Sequence, residues 1–365
     1  MSEQKLTRRE ALGSVGAMVA ASVTGATRTE SQPAPREGPR LAPRTELVNT
    51  LEYEEQAKLK LAPSAYGLIA GGDRAAFDRI TLRPRMLVPV LDLDLGVTLF
   101  GDRLFAPIIV GPVGDQKRWH ADGELATVKG ASAAQAVMVV SSHSSVPLAD
   151  LKAQANVPLW YQVFASDAAA KAQIQRAVNA GCRAVCVTVG AAPPVDRARG
   201  VATAARFDWS TVAALRRGVT VPVLVKGIAT AEAAALALRH GADGIIVSNY
   251  GGLAGSSKDA LILTLPKIID AVGGKVPVLI DGSFRRGTDI LKALAFGASS
   301  VLVDRPVMWG LAAYGADGVQ GVVEMLQTEL ARYMGMCGKT NLNALDRTVL
   351  KIHGPLPART STRGV

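Results

Sequence analysis

The chain is short of cysteine, aromatic residues and long apolar runs, and each shortage excludes a class of protein. Its three cysteines, Cys182, Cys186 and Cys337, are odd in number and have no metal-type spacing to nearby histidines. Neither a disulfide framework nor a metal site is therefore expected. Aromatic residues make up only 5% of the chain, which argues against a nucleic-acid-binding surface because such surfaces use aromatic stacking.

The charge is strongly basic but spread along the sequence. The formal net charge is +10 over 365 residues, and the only arginine-rich stretch lies near the N-terminus. We interpret the excess as solvated surface and leader, with some cations serving a phosphate group. No nucleic-acid partner is predicted.

The N-terminus has the pattern of a twin-arginine export signal. Arg8-Arg9 precedes a weakly apolar segment, residues 13–23, and residues 1–30 are assigned to the signal. The alternative is a cytosolic chain with a chance arginine pair before an alanine-rich helix. The apolar segment is too short and glycine-rich to span a bilayer, so we expect an exported, periplasmic or extracytoplasmic protein with no stable membrane span.

The rest of the chain divides by its composition. Residues 31–45 indicate a linker, residues 46–106 an N-terminal helical segment and barrel entry, residues 107–340 a barrel, and residues 341–365 a tail. Within the barrel segment, eight short apolar runs alternate with alanine-rich helical segments. The runs are Ile108–Val113, Val137–Ser142, Leu159–Phe164, Ala184–Val189, Val221–Lys226, Gly244–Asn249, Val276–Asp281 and Ser299–Asp304.

Eight such units predict an α/β fold, a closed (β/α)₈ TIM barrel with an N-terminal helical cap. An open doubly wound sheet is the alternative, but the glycine-rich dinucleotide fingerprint typical of that fold is missing after the first strand. Polar or unusual residues stand where the strands end, and in a barrel these ends form the active-site mouth. They are Asp115, Ser141, Gln162, Thr188, Lys226, Ser248, Asp281 and Arg305.

Two loops have the features of a phosphate site. Residues 281–287, Asp-Gly-Ser-Phe-Arg-Arg-Gly, follow the seventh strand, and Asp304-Arg305-Pro306 follows the eighth. Barrel proteins bind phosphate between these loops through backbone amides and a cation. Asp281 could also accept hydrogen bonds from a polyol. The alternative is an ordinary barrel loop with surface arginines.

Several long motifs in the same order resemble a known family. They are Leu82-Arg83-Pro84-Arg85, Asp122-Gly123-Glu124, residues 225–228 (Val-Lys-Gly-Ile), residues 241–249 (Gly-Ala-Asp-Gly-Ile-Ile-Val-Ser-Asn) and residues 305–310 (Arg-Pro-Val-Met-Trp-Gly). The chain resembles the FMN-dependent α-hydroxy-acid oxidases and dehydrogenases, such as glycolate oxidase and the lactate dehydrogenase flavoprotein, from about Glu52 to Arg332. The resemblance implies FMN, a small-molecule substrate, an electron acceptor that the sequence does not identify, and possible assembly as a homotetramer.

The resemblance also assigns roles to residues at the strand ends. Pro112, Val113 and Gly114 would lie along the flavin ring, and Lys226 would stabilise negative charge near flavin N1 and O2. Asp304 stands where the family has glycine, so its carboxylate would repel a phosphate unless Arg285 or Arg305 offsets it. The full predicted FMN set is Pro112, Val113, Gly114, Ser141, Gln162, Thr188, Lys226, Ser248, Asp281, Gly282, Ser283, Arg285, Asp304 and Arg305.

The family's substrate-binding chemistry is replaced at five positions. Tyr250 stands for the histidine base, Gly190 for the aspartate that orients it and Leu253 for the carboxylate-binding arginine, while Leu68 and Phe164 align with two tyrosines. A phenol with an ordinary pKa near 10 is a poor base at neutral pH, and leucine cannot bind a carboxylate.

The loop after the fourth strand is also shorter than the family's substrate-covering segment. We therefore expect an oxidoreductase whose substrate is not a simple 2-hydroxy acid, with Tyr250, His143 and Lys226 as candidate catalytic residues. The alternatives are a non-catalytic flavin- or ligand-binding protein and a 2-hydroxy-acid dehydrogenase with relocated catalytic groups.

Overall fold

The computed structural model describes residues 40–189, 208–249 and 260–354. The described residues from Leu41 onward belong to one compact unit. Their strands are β1 (Ile80–Leu82), β2 (Val97–Leu99), β3 (Asp102–Leu104), β4 (Ile108–Val110), β5 (Met138–Ser141), β6 (Leu159–Phe164), β7 (Ala184–Thr188), β8 (Val223–Ile228), β9 (Gly244–Val247), β10 (Val278–Ile280), β11 (Ser300–Val303) and β12 (Leu350–Ile352).

Helices alternate with these strands. They are α1 (Thr50–Lys60), α2 (Pro63–Tyr66), α3 (Ala75–Asp78), α4 (Glu124–Ala133), α5 (Leu148–Gln154), α6 (Ala170–Asn179), α7 (Trp209–Arg216), α8 (Ala231–Arg239), α9 (Leu261–Val272), α10 (Gly287–Phe296) and α11 (Arg305–Met336). No helix within the described ranges is both long and apolar enough to cross a membrane.

Strands β4 to β11 form a closed parallel barrel. Each strand pairs with the next in sequence, and β11 pairs back with β4 through Val301–Ile108, Leu302–Ile109 and Val303–Val110. All eight predicted strands are present within a few residues of their predicted bounds. The (β/α)₈ prediction is confirmed, and the open doubly wound sheet is excluded because the edge strands of that fold do not pair with each other.

An antiparallel hairpin of β2 and β3 packs against the N-terminal end of the barrel. Leu99 and Leu104 of this hairpin are buried against the apolar residues inside the barrel, and the ring of Phe100 meets that of Trp160 edge-on at 5.8 Å. Every barrel strand contributes to this cluster, which also contains Val137 and Ala184. The members nearest the C-terminal end of each strand are Ile109, Val139, Trp160, Cys186, Leu224, Ile246, Leu279 and Leu302. These eight residues, the apolar layer, fill the barrel below its C-terminal mouth.

The segments outside the barrel rest on its helical shell. Helix α1 packs on α11, where Tyr53 and Tyr314 meet edge-on at 5.8 Å. The predicted N-terminal helical segment begins with two separate helices, because α1 stops before Pro63, which begins α2. Helix α11 bends at Gly315, whose φ of 64° breaks the helical conformation. Within the predicted tail, β12 pairs antiparallel with β1.

Candidate active site

Eight side-chain positions form the inner rim of the barrel mouth. Side chains alternate across a strand with a period of two, so the residue two beyond each member of the apolar layer also faces the interior. These positions, the mouth ring, are Gly111, Ser141, Gln162, Thr188, Lys226, Ser248, Asp281 and Asp304. Seven of the eight are polar or charged, whereas the layer beneath is apolar.

Two of the residues predicted at the mouth need correction. Asp115 lies beyond the ring in a left-handed conformation (φ 54°), and its exposed carboxylate forms an ion pair with Arg118. Arg305 begins α11, so the inward position on that strand belongs to Asp304. Asp115 lies beyond the end of β4, and Arg305 falls outside the two-residue period that runs from Leu302 into the mouth, so neither side chain takes the inward position of its strand.

The neutral part of the mouth ring is a chain of hydrogen bonds. Ser141 Oγ donates to Gln162 Oε1 at 3.1 Å, and Gln162 Nε2 donates to Thr188 Oγ1 at 2.9 Å. Ser141 Oγ also accepts from the His143 backbone amide at 3.1 Å. All three ring side chains are buried. The predicted flavin-edge residues therefore lie together and hold one another in fixed orientations.

The charged part of the mouth ring is organised around Lys226. Its ammonium forms a buried ion pair with Asp281 Oδ2 and donates to Ser248 Oγ at 2.9 Å, and Ser248 Oγ lies 2.8 Å from the same carboxylate oxygen. Burial is the largest single influence and acts to lower the pKa of Lys226, but the attractions of Asp281 and Asp304 and the hydrogen bond to Asp281 together raise the pKa. Among the described residues, Asp281 Oδ1 has no hydrogen-bond partner, so it is available to accept from a ligand hydroxyl.

Asp304 brings a second carboxyl into the mouth ring. Its Oδ1 is shielded from solvent and has no hydrogen-bond partner within the described ranges. A Cβ placed on Gly111 would lie 1.8 Å from this oxygen, so the carboxyl occupies the space that a side chain at 111 would need. Burial, followed by the charge of Asp281, raises the pKa of Asp304 to about 6.

Arg285 and Arg305 converge on one backbone carbonyl. Arg285 Nη2 and Arg305 Nη1 donate to Gly71 O at 2.6 and 2.8 Å. In the part of the chain that the structure describes, neither guanidinium has a carboxylate within ion-pair distance. Burial, followed by repulsion from Arg305, lowers the pKa of Arg285 to about 9. Two cations held together without an anionic partner make this guanidinium pair a suitable site for a phosphate.

The rigid support of Arg285 comes from two directions. Its guanidinium stacks on the Trp309 ring at 4.6 Å and donates to Phe284 O at 2.9 Å. The buried carboxylate of Asp289 accepts from the backbone amides of Arg285 and Arg286 at 3.0 and 2.9 Å. Gly282 and Ser283, both with positive φ (98° and 61°), form the turn that leads from Asp281 to this loop. The guanidinium is therefore positioned before a ligand arrives.

Sequence reasoning missed the contribution of the segment before α3. Gly71 supplies the shared carbonyl, and Gly72 approaches both guanidiniums so closely that a Cβ there would lie 2.7 Å from Arg305 Nη1. Arg74 pairs with Asp289 at 2.6 Å and so supports the loop before α10. These contacts join residues more than 200 positions apart, and only the adjacent glycines gave a local signal.

His143 lies beside the mouth ring and not in it. Its ring packs against that of Phe164 with 5.0 Å between centroids and 36° between planes, and its carbonyl accepts from the Asp115 amide at 2.8 Å. A Cβ on Gly114 would lie 2.8 Å from His143 Cβ, so the Pro112-Val113-Gly114 segment passes directly over this residue. Tyr250, Gly190 and Leu253 lie outside the described residues.

The described residues fit the cofactor that the sequence resemblance implies. The unpartnered oxygen of Asp281 suits a ribityl hydroxyl, and the guanidinium pair suits a phosphate. The hydrogen-bonded side chains of Ser141, Gln162 and Thr188 suit the polar edge of a flavin. Asp304 is the one member of the mouth ring whose charge opposes a phosphorylated ligand. No cluster of three or more potential metal ligands occurs in the described ranges.

Comparisons with known proteins agree on one family. The family model described as FMN-dependent dehydrogenase matches residues 68–206 and 196–352. Glycolate oxidase from Spinacia oleracea is 35% identical over 351 residues, covering 83% of this chain and 95% of that protein. L-lactate oxidase from a Nostoc species is 34% identical, covering 84% and 98%. A crystal structure of mandelate oxidase with (S)-2-phenylpropionate superposes with a TM-score of 0.77 at 35% identity, covering 84% and 99%.

Proposed function

The chain belongs to the FMN-dependent α-hydroxy-acid oxidase and dehydrogenase family, and we propose that it is an oxidoreductase whose substrate is not a simple 2-hydroxy acid. One observation carries the proposal. Lys226, the only cation of the mouth ring, is committed to Asp281, so the ring offers no free cation to a substrate carboxylate. The sequence places Leu253 where the family has its carboxylate-binding arginine, which points in the same direction.

Different described residues would contact the phosphate, the ribityl chain and the ring of FMN. Arg285 and Arg305 would bind the phosphate and Asp281 the ribityl chain, while Ser141, Gln162 and Thr188 would contact the polar edge of the ring. Lys226 would face flavin N1 and O2, where a cation favours the reduced flavin. Bound FMN would accept two electrons from the substrate. We propose Tyr250 as the hydrogen-bond anchor or proton donor and His143 as the second titratable group beside the substrate.

The packing of Phe164 against the His143 ring favours an apolar substrate. The side chain of Phe164 is buried against the His143 ring, at the position where the family has a tyrosine hydroxyl. Loss of that hydroxyl removes a polar contact and leaves a surface that favours apolar groups. A bulky, apolar alcohol without a free carboxylate is the substrate class that these side chains suit, because its alcohol carbon can supply the two electrons.

Anaerobic reduction of the bound flavin tests the proposal. The purified protein should carry an FMN-like absorption spectrum, and that spectrum should persist on addition of lactate, glycolate or mandelate and bleach with apolar substrates that lack the carboxylate. The combined variant Tyr250→His, Leu253→Arg and Gly190→Asp should gain bleaching by a 2-hydroxy acid. Leu253→Arg alone is the matched control, because it restores carboxylate binding without a base. Rapid bleaching of the unaltered protein by any of the three acids would refute the proposal.

We also propose export through the twin-arginine route. Arg8-Arg9 before a short apolar segment supports this location, and export of a folded protein would allow the cofactor to be inserted first. Replacing both arginines with lysine should leave the protein in the cytoplasm of its host, as measured by cell fractionation. Unchanged export of the double-lysine variant would refute the route.

Assembly as a homotetramer is a further proposal. Met86, Leu87 and Leu91 are 83%, 99% and 87% exposed, and apolar residues clustered at a surface favour association. Light scattering coupled to size-exclusion chromatography should give four times the mass of the mature chain. A monomeric mass at micromolar concentration would refute it.

A further inference from the structure

The unusual feature of the mouth is the charge of Asp304. Of the eight mouth-ring positions, only 226, 281 and 304 carry ionisable groups. Lys226 and Asp281 neutralise each other in their buried ion pair, so the Asp304 carboxyl is the unbalanced charge. Its Oδ1 has no hydrogen-bond partner among the described residues, and it occupies the space that a side chain at Gly111 would need.

The charged groups that act on Asp304 come from β8, from the end of β10, from the loop before α10 and from the start of α11. Asp281 repels its carboxylate, and Lys226, Arg305 and Arg285 attract it. Lys226 exerts the strongest of these attractions, although its ammonium is also paired with Asp281. The other two cations are Arg305 and Arg285. These are the same two guanidiniums that converge on Gly71 O and suit a phosphate.

We propose that Asp304 is a selectivity residue of the flavin site: its shielded, unpartnered carboxylate, which immediately precedes Arg305, repels the FMN phosphate that Arg285 and Arg305 would hold, and so weakens FMN binding relative to unphosphorylated flavin. The inference rests on the proposed flavin site. It adds a ligand preference to that site, because flavin binding does not itself require a carboxyl at position 304.

The repulsion between the Asp304 carboxylate and the phosphate has a defined dependence on pH. An ionised carboxyl repels the phosphate through the protein interior, where charges are poorly screened. A protonated carboxyl exerts little repulsion, so tight binding of the phosphate draws a proton to Asp304. The pKa of about 6 in the free protein places this change within an accessible range. Riboflavin has no phosphate, so its binding should be nearly insensitive to the charge at 304.

The test compares FMN and riboflavin on the flavin-free protein. Dissociation constants are measured by flavin fluorescence at pH 8 and pH 5.5 for the unaltered protein, Asp304→Asn and Asp304→Ala. Asp317→Asn is the matched control, because Asp317 is an exposed acid on the same helix α11 and its replacement changes the net charge equally. At pH 8 we expect Asp304→Asn to bind FMN on the order of tenfold more tightly, with riboflavin changed less than about twofold.

The difference between Asp304→Asn and the unaltered protein should shrink at pH 5.5. This comparison cancels the second ionisation of the phosphate itself, which falls near pH 6 and is common to both proteins. Equal FMN affinity at pH 8, or equal tightening of FMN and riboflavin, would overturn the proposal while leaving the flavin site intact. Failure of the unaltered protein to bind any flavin would overturn the flavin site as well. Asp304→Ala provides the same comparison if the asparagine variant does not fold.

Discussion

A methyl group at position 111 should force the Asp304 carboxyl out of its place. In Gly111→Ala, the added Cβ would lie 1.8 Å from Asp304 Oδ1 and 2.9 Å from its Cγ, far inside the 3.4 Å at which ordinary contact begins. Gly111 sits between strands of a closed barrel, and its amide donates to Val303 O at 3.1 Å, so the backbone cannot easily retreat. The carboxyl must rotate toward Asp281 or out of the ring.

The expected cost is that of an overpacked core. Insertions of this kind destabilise by about 1–3 kcal/mol, and the loss should be visible as a lower urea midpoint at unchanged slope. The clash involves only the carboxyl atoms of Asp304, so the Asp304→Ala background should remove most of the cost. Asp304→Asn keeps the shape and removes the charge, so Gly111→Ala should remain destabilising in that background. Comparing aspartate, asparagine and alanine at position 304 therefore shows whether the destabilisation by Gly111→Ala comes from the volume of the side chain or from its charge.

A matched control is available at Gly335. This glycine lies within α11, and a Cβ there would make only an ordinary contact, 3.9 Å from Leu93 Cδ1. Gly335→Ala should be neutral or stabilising by up to about 1 kcal/mol, because alanine favours a helix over glycine. The reasoning fails if Gly111→Ala is as stable as the unaltered protein, or if its cost is the same with alanine at 304 as with aspartate.

Three further predictions follow from the charges at the mouth. Asp281→Ala should lower the free energy of unfolding by about 3–5 kcal/mol, because it leaves the Lys226 ammonium buried without its partner. The double variant Lys226→Met/Asp281→Leu removes both charges and should recover most of that stability, as measured by urea unfolding. Arg285→Lys should weaken FMN binding by about 10- to 100-fold, because lysine cannot reproduce the guanidinium fork or its stacking, and riboflavin serves as the control ligand. For Asp304, the folded pKa of about 6 exceeds the ordinary value near 3.9. Ionisation therefore opposes folding, and the flavin-free protein should lose up to about 3 kcal/mol relative to Asp304→Asn as pH rises from 4 to 6. A pH-independent difference between the two proteins would contradict the assigned pKa.

The barrel could be predicted because its strands are buried on both faces. Strands such as β7 and β9 contain only residues that are buried in the structure, and such continuous apolar runs are visible in a sequence without any knowledge of the partners. The N-terminal segment was less predictable. The pairing of β1 with β12 joins Ile80 to Ile352, and neither three-residue strand has a periodicity strong enough to reveal it.

Most of the mouth ring was also predictable, and its two exceptions are instructive. Ser141, Gln162, Thr188, Lys226, Ser248 and Asp281 were identified as polar strand ends, and all six face the interior. Gly111 was missed because a glycine has no polar group to attract attention. Counting two residues from Ile109 and from Leu302 would have placed both Gly111 and Asp304 correctly.

The contacts of the guanidinium pair could not have been derived from sequence alone. Gly71 lies 214 residues from Arg285, and its role depends on how the segment between α2 and α3 crosses the barrel mouth. The adjacent glycines at 71 and 72 signalled a tight turn or close approach, but not the partner. Long-range contacts of this kind are set by the packing of α1 and α2 on the barrel.

The residues proposed to bind the flavin phosphate and ribityl chain follow different strands from those proposed to contact the substrate. Asp281, Arg285 and Arg305 follow β10 and β11, and Asp289 and Trp309 hold Arg285 in position. The substituted positions 190, 250 and 253 follow β7 and β9. We expect replacement of the substrate residues to leave Arg285 in place, because the contacts that position it are made by Asp289 and Trp309. Asp304 is the exception, because its carboxyl acts on the phosphate side from within the ring, and its charge is therefore the one change expected to alter flavin binding itself.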